Sequence, residues 1–145
     1  MKIKRIFVYG SLKEGFYNYN KFLKNKTINK ISGVYILGEL FHLPNKGYPA
    51  AISGEETIIG EVLDILDDGK IFDEIHRMEG FISYKNPNNE YNLEMKEVIF
   101  PNNKKELLPV YIYNSTKKEI IDNDLGVCIL SGDWSIYMSN KNNNM

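Results

Sequence analysis

One cysteine (Cys128), two histidines (His42 and His76) and one tryptophan (Trp134) are all that 145 residues hold of these types. A single thiol excludes a disulfide framework within the chain and a thiolate cluster for zinc. Cys128 has no fitting histidine or basic neighbour, so it is expected as a buried, inert thiol. Two imidazoles exclude a three-histidine metal site, and no motif supports a mixed histidine–carboxylate one. An excess of either charge is missing too: 18 basic and 19 acidic residues leave a net −1. Without a basic stripe to track a phosphate backbone, nucleic acid is not an expected partner. No apolar run approaches membrane-spanning length, and Ile6–Leu12 is too short and too interrupted by glycine for a signal-peptide core. The expectation is a cytoplasmic protein with no membrane partner.

A hydrophobic fraction of 43% beside 26% charged residues suits a single globular domain, predicted over residues 1–139, followed by an asparagine-rich polar tail, 140–145, that lacks order. Strands are predicted at the start of the chain through Tyr9, at Ile31–Leu43, Ile58–Leu66, Leu93–Phe100 and Leu107–Tyr113, with Pro109 marking an edge or bulge in the last. Gly33 and Gly38 mark bulges in the second. Tyr17–Leu23 reads as a short irregular helix, Asn45–Ala51 as a stiff loop, and Gly126–Leu130 as a short strand or helix start. Asp67–Glu79 is the clearest helix: Ile71, Phe72, Ile75 and Met78 recur at three- and four-residue steps, an aspartate stands at its start and Gly80 at its end. Many strands and one firm helix predict an α+β fold, a small mixed β-barrel with surrounding helices, and not alternating βαβ units.

Two places invite chemistry. Ile6-Phe7-Val8-Tyr9 runs unbroken into Gly10-Ser11, with a further glycine at Gly15. That is a central strand feeding a tight loop, which is either a plain strand end or a row of outward backbone amides that seats an anion. The spacing fits neither the nucleotide-hydrolase phosphate loop nor the three-glycine dinucleotide fingerprint. Ser11 has no local base and no nucleophile-elbow context.

Glu79 is the second place, because it shares the inward stripe with Ile75 and Phe72. A carboxylate turned toward a core loses water and its pKa rises toward neutrality, as a general acid/base requires. The other reading leaves it in a fraying last turn, facing water or paired with Arg77 or Lys85. His76 sits beside the inward face and reads as a surface or structural residue.

Tyr9-Gly10-Ser11-Leu12-Lys13, Gly47-Tyr48-Pro49-Ala50 and Met78-Glu79-Gly80 stand in an order and spacing that resembles the gamma-glutamylcyclotransferase family, in its small bacterial and plant-type branch. Gly60-Glu61-Val62, the aromatic strand around Tyr111, and Gly132-Asp133-Trp134 extend the resemblance to about Tyr137. It implies a barrel whose cavity opens near the end of the first strand. It further implies Glu79 as catalytic acid/base, the backbone of Tyr9, Gly10, Ser11 and Leu12 as seat of the substrate carboxylate, Gly47, Tyr48 and Pro49 as a cavity wall, and Tyr111 as a substrate-facing ring. The implied substrate is a small gamma-glutamyl amine or peptide, converted to 5-oxoproline without metal or cofactor. Monomer and homodimer both stay open.

Overall fold

The computed structural model describes residues 2–143. Six strands, β1 (Lys2–Val8), β2 (Thr27–Leu43), β3 (Tyr48–Asp67), β4 (Tyr91–Ile99), β5 (Lys105–Tyr113) and β6 (Val127–Cys128), form one sheet. Helices α1 (Ile71–Glu79), α2 (Lys117–Asp122) and α3 (Trp134–Asn143) lie around it, and a single π-helical turn occupies Tyr19–Leu23. Residues 140–143, the start of the segment expected as a tail, belong to α3. Residues 144 and 145 lie outside the described residues.

The expected β-barrel is corrected by the ladder order. Hydrogen-bonded neighbours run β1-β3-β2-β4-β5, with β6 added to β2, and no ladder joins β5 back to β1. The sheet is open, and every ladder among the described residues is antiparallel. Its free edges are tied by side chains instead of backbone. Arg5 reaches Glu106 at 3.1 Å, and the Tyr9 hydroxyl donates to the Tyr111 carbonyl at 2.5 Å. Such contacts hold two edges near each other without supplying the continuous backbone pairing that closure requires.

The unbroken apolar run of β1 follows from burial on both faces. Ile6 and Val8 enter one core cluster with Leu63, Ile71, Ile75 and Tyr111; Phe7 and Tyr9 enter a second with Val62, Val110 and Trp134. Alternating residues point to opposite faces, so a strand covered on both sides has no polar alternation. β1 is therefore apolar throughout its inner half although it pairs with β3 alone. On β2, register shifts at Ile31/Val34 and Leu37/Glu39 fall at the two glycines expected to bend it.

Several boundaries differ from expectation. Tyr48–Ala51 is not loop: Tyr48 pairs with Leu43 and Pro49 with His42, so a short turn joins two long strands. Helix α1 begins at Ile71, four residues late, because Asp67 still belongs to β3 and the Asp68 carboxylate accepts from the Lys70 and Ile71 N–H groups, both at 2.9 Å. Its end falls where expected, at a left-handed Gly80 (φ 68°) whose N–H returns to the helix. Helix α2 carries a capping box, Thr116 with Glu119. Cys128 is exposed and not buried as expected, since both residues of the two-residue strand β6 are left uncovered. No helix among the described residues is long and apolar enough to cross a membrane.

Candidate active site

The C-terminal end of β1, the loop after it, the start of β3, the last turn of α1, β5 and the approach to β4 enclose a cleft of about 500 Å³, its open mouth included. β1 and its loop contribute Tyr9, Gly10, Ser11 and Leu12; β3 contributes Tyr48 and Pro49; α1 contributes Met78 and Glu79; β5 contributes Tyr111. All the residues singled out from sequence line this one cleft except Gly47, which occupies the β2–β3 turn (φ 78°) and donates its N–H to the Leu43 carbonyl at 2.8 Å. Asn18, Glu90 and Tyr91 join the lining without having been singled out.

Gly10 earns its place through close approach and not through a positive φ. A Cβ there would lie 2.7 Å from Pro49 Cγ, so the loop rests directly on the cavity wall opposite. Beyond it, the Lys13 N–H closes a turn onto the Gly10 carbonyl at 2.9 Å. The Gly10, Ser11 and Leu12 N–H groups donate to no described residue. Asn18 fastens the loop to the helix, giving its Nδ2 protons to Ser11 Oγ (2.7 Å) and Met78 Sδ (3.4 Å). Buried Lys13 fastens it on the other side, to Ser135 Oγ at 2.5 Å.

Glu79 is half-buried, with its carboxylate turned into the cleft. Neither Arg77 nor Lys85 pairs with it, and it takes no hydrogen bond from the described residues. Protein replaces most of its water and Glu90 adds a second negative charge nearby, which together push its pKa up to about 8. Tyr9, Tyr91 and Tyr111 surround it as neutral phenols, each with its pKa raised mainly by burial. The cleft thus brings together a carboxyl group of raised pKa and a loop whose Gly10, Ser11 and Leu12 N–H groups have no partner among the described residues.

Tyr91 donates to the Pro49 carbonyl at 2.6 Å and keeps the wall in place. His76 lies outside the cleft: its Nδ1 is 2.6 Å from the Tyr111 hydroxyl, so it touches the back of a lining ring and not Glu79. Among the described residues, no group of three or more His, Cys, Asp or Glu is placed to hold a metal ion.

An open antiparallel sheet with a cleft between the loop after β1 and the end of α1 is the setting in which the family match falls. The chain belongs to the AIG2-like gamma-glutamyl cyclotransferase family, whose model matches residues 6–136. It is similar to a protein of Methanocaldococcus jannaschii named "Putative gamma-glutamylcyclotransferase", 28% identical over 134 residues and covering 91% of this chain and 96% of that one. Among solved structures, an uncharacterized protein of Pyrococcus horikoshii is 25% identical, with a TM-score of 0.59 over 96% of this chain and 97% of its own. An AIG2-like protein of Mus musculus shares the fold, with a TM-score of 0.58 at 16% identity, over 81% of this chain and 82% of its own.

Proposed function

We propose that this protein closes a gamma-glutamyl amine or peptide into 5-oxoproline and releases a free amine or amino acid, with Glu79 as the proton shuttle. The observation that carries this reading is that the unpaired Glu79 and the loop of Gly10, Ser11 and Leu12, whose N–H groups have no partner among the described residues, line one cleft. Those amides suit the substrate's α-carboxylate, an anion that needs several donors and no cation. Tyr48, Pro49 and Tyr111 form the apolar walls that orient the chain between them.

Glu79 takes a proton from the α-nitrogen. That nitrogen attacks the γ-carbonyl, forming the C–N bond of a five-membered ring. The original C–N bond then breaks: the proton held by Glu79 passes to the leaving nitrogen, and the ring nitrogen sheds its second proton to Glu79, from which it passes to the released amine as its ammonium. Nucleophile and electrophile belong to one molecule, so the site supplies orientation and a proton acceptor of matched pKa, and no metal or cofactor enters the scheme. A carboxylate near pKa 8 accepts from an α-ammonium with little driving-force penalty and returns the proton as readily.

The experiment is mass-spectrometric analysis of products from a panel of gamma-glutamyl amines and dipeptides. Formation of 5-oxoproline supports ring closure. Release of glutamate instead identifies hydrolysis of the same bond, and no product from any member favours a non-catalytic binding module.

A further inference from the structure

Glu90 shares the wall of the cleft with Glu79, and its place there is fixed by backbone. The Glu90 N–H donates to the Gly80 carbonyl at 3.0 Å, and its own carbonyl accepts from the Asn114 N–H at 2.9 Å. A Cβ on Gly80 would lie 2.9 Å from Glu90 Cβ, so the two strands of chain are in direct contact just past the end of α1. Its carboxylate is divided. Oε2 takes both the Lys46 ammonium, at 2.7 Å, and the Tyr48 hydroxyl. Lys46 also donates to the Tyr113 hydroxyl at 3.1 Å, which in turn donates to Asp124. Oε1 has no partner among the described residues and lies on the Gly80 side. Glu79 and Glu90 both line the cleft, Glu90 lies near enough to raise the Glu79 pKa by its charge, and each keeps carboxylate oxygen with no partner among the described residues.

We propose that Glu90 is a second substrate-binding residue: its free Oε1 and the Glu79 carboxylate form a seat for the charged α-ammonium of the arriving gamma-glutamyl group. The inference rests on the functional reading above and adds to it the form in which the substrate binds. An α-amine in neutral solution carries three N–H donors and a positive charge. Two carboxylate oxygens from two residues of one cleft match two of those donors, and the cation relieves the repulsion between the two acids. One N–H proton then passes to Glu79, leaving the neutral nitrogen free to attack, while Glu90 holds the nitrogen in place through a second hydrogen bond. Lys46 and Tyr48 hold Oε2, which leaves Oε1 as the oxygen free to accept.

L-methionine sulfone tests this without turnover, because it carries the α-ammonium and α-carboxylate but a sulfone where the γ-carbonyl stands. Its partner probe, 4-(methylsulfonyl)butanoate, lacks only the ammonium. Titration calorimetry on the intact wild-type chain should show preference for the ammonium probe. Glu90→Gln, which keeps shape and fold, should reduce that preference by about tenfold or more, the scale of one charge-assisted hydrogen bond. Glu97→Gln, at an exposed acid outside the cleft, should preserve the preference. An unchanged preference in Glu90→Gln, or none in the wild type, including failure to bind, overturns the proposal. Loss of preference in a protein that forms no 5-oxoproline leaves the seat standing and removes the functional reading alone.

Discussion

The Tyr9 hydroxyl donates to the main-chain carbonyl of Tyr111 at 2.5 Å, across 102 positions of sequence and between the two free edges of the sheet. Both rings are buried and both line the cleft, so this contact joins the end strands where the cavity forms. Tyr9→Phe leaves the carbonyl without its donor in a dry place. The expected loss is about 1–2 kcal/mol in urea unfolding, with the cleft loosened at the same time.

The Gly10 contact predicts a different outcome. In Gly10→Ala the new methyl meets a proline ring, which cannot swing aside as a long flexible side chain would. The loop must move away from Pro49, at about 1–3 kcal/mol of stability for an overpacked contact. The free amides of the loop move with it. We expect the variant to remain folded by circular dichroism while 5-oxoproline formation falls further than stability does.

Burial of Glu79 links stability to pH. A carboxyl whose folded pKa is raised to about 8 favours folding most while it is protonated in both states, below the ordinary carboxylate range. That contribution declines as pH rises from the unfolded value and is gone above the folded one. Glu79→Gln, neutral at every pH, should therefore gain on the wild type as pH rises from about 5 to about 9. Denaturant midpoints for both proteins across that range give the measurement; a constant difference would contradict the assigned environment.

Much of this was legible in the residues, and the limits have physical causes. The periodicity of Ile71, Phe72 and Ile75 located α1 and put Glu79 on its inner side, since helix geometry is local. Glu90 carried no such signal: it is one acid in an asparagine-rich loop, and its role arises from a backbone contact with Gly80 that only the fold creates. Asn45–Ala51 reads as loop because Gly47 and Pro49 dominate its composition, yet in Tyr48–Ala51 pairing with β2 outweighs that preference. The openness of the sheet has no local signature either. Strand count and bulging glycines suit closure, whereas closure itself depends on whether β1 and β5 share a ladder. Helix α2 does have a local signal, the capping box of Thr116 and Glu119.

That box supplies a control far from the chemistry. Thr116→Ala removes the side-chain acceptor for the Glu119 N–H and should cost about 1 kcal/mol, read from the thermal midpoint. Turnover per folded molecule should not change.

The most direct measurement is the rate of 5-oxoproline formation from a gamma-glutamyl amine by the wild type and by Glu79→Gln, with folding of both checked by circular dichroism. The account predicts formation by the wild type and a fall of about 10²–10⁴-fold in the variant, the usual contribution of a positioned acid/base. Undiminished formation of 5-oxoproline by Glu79→Gln would contradict it.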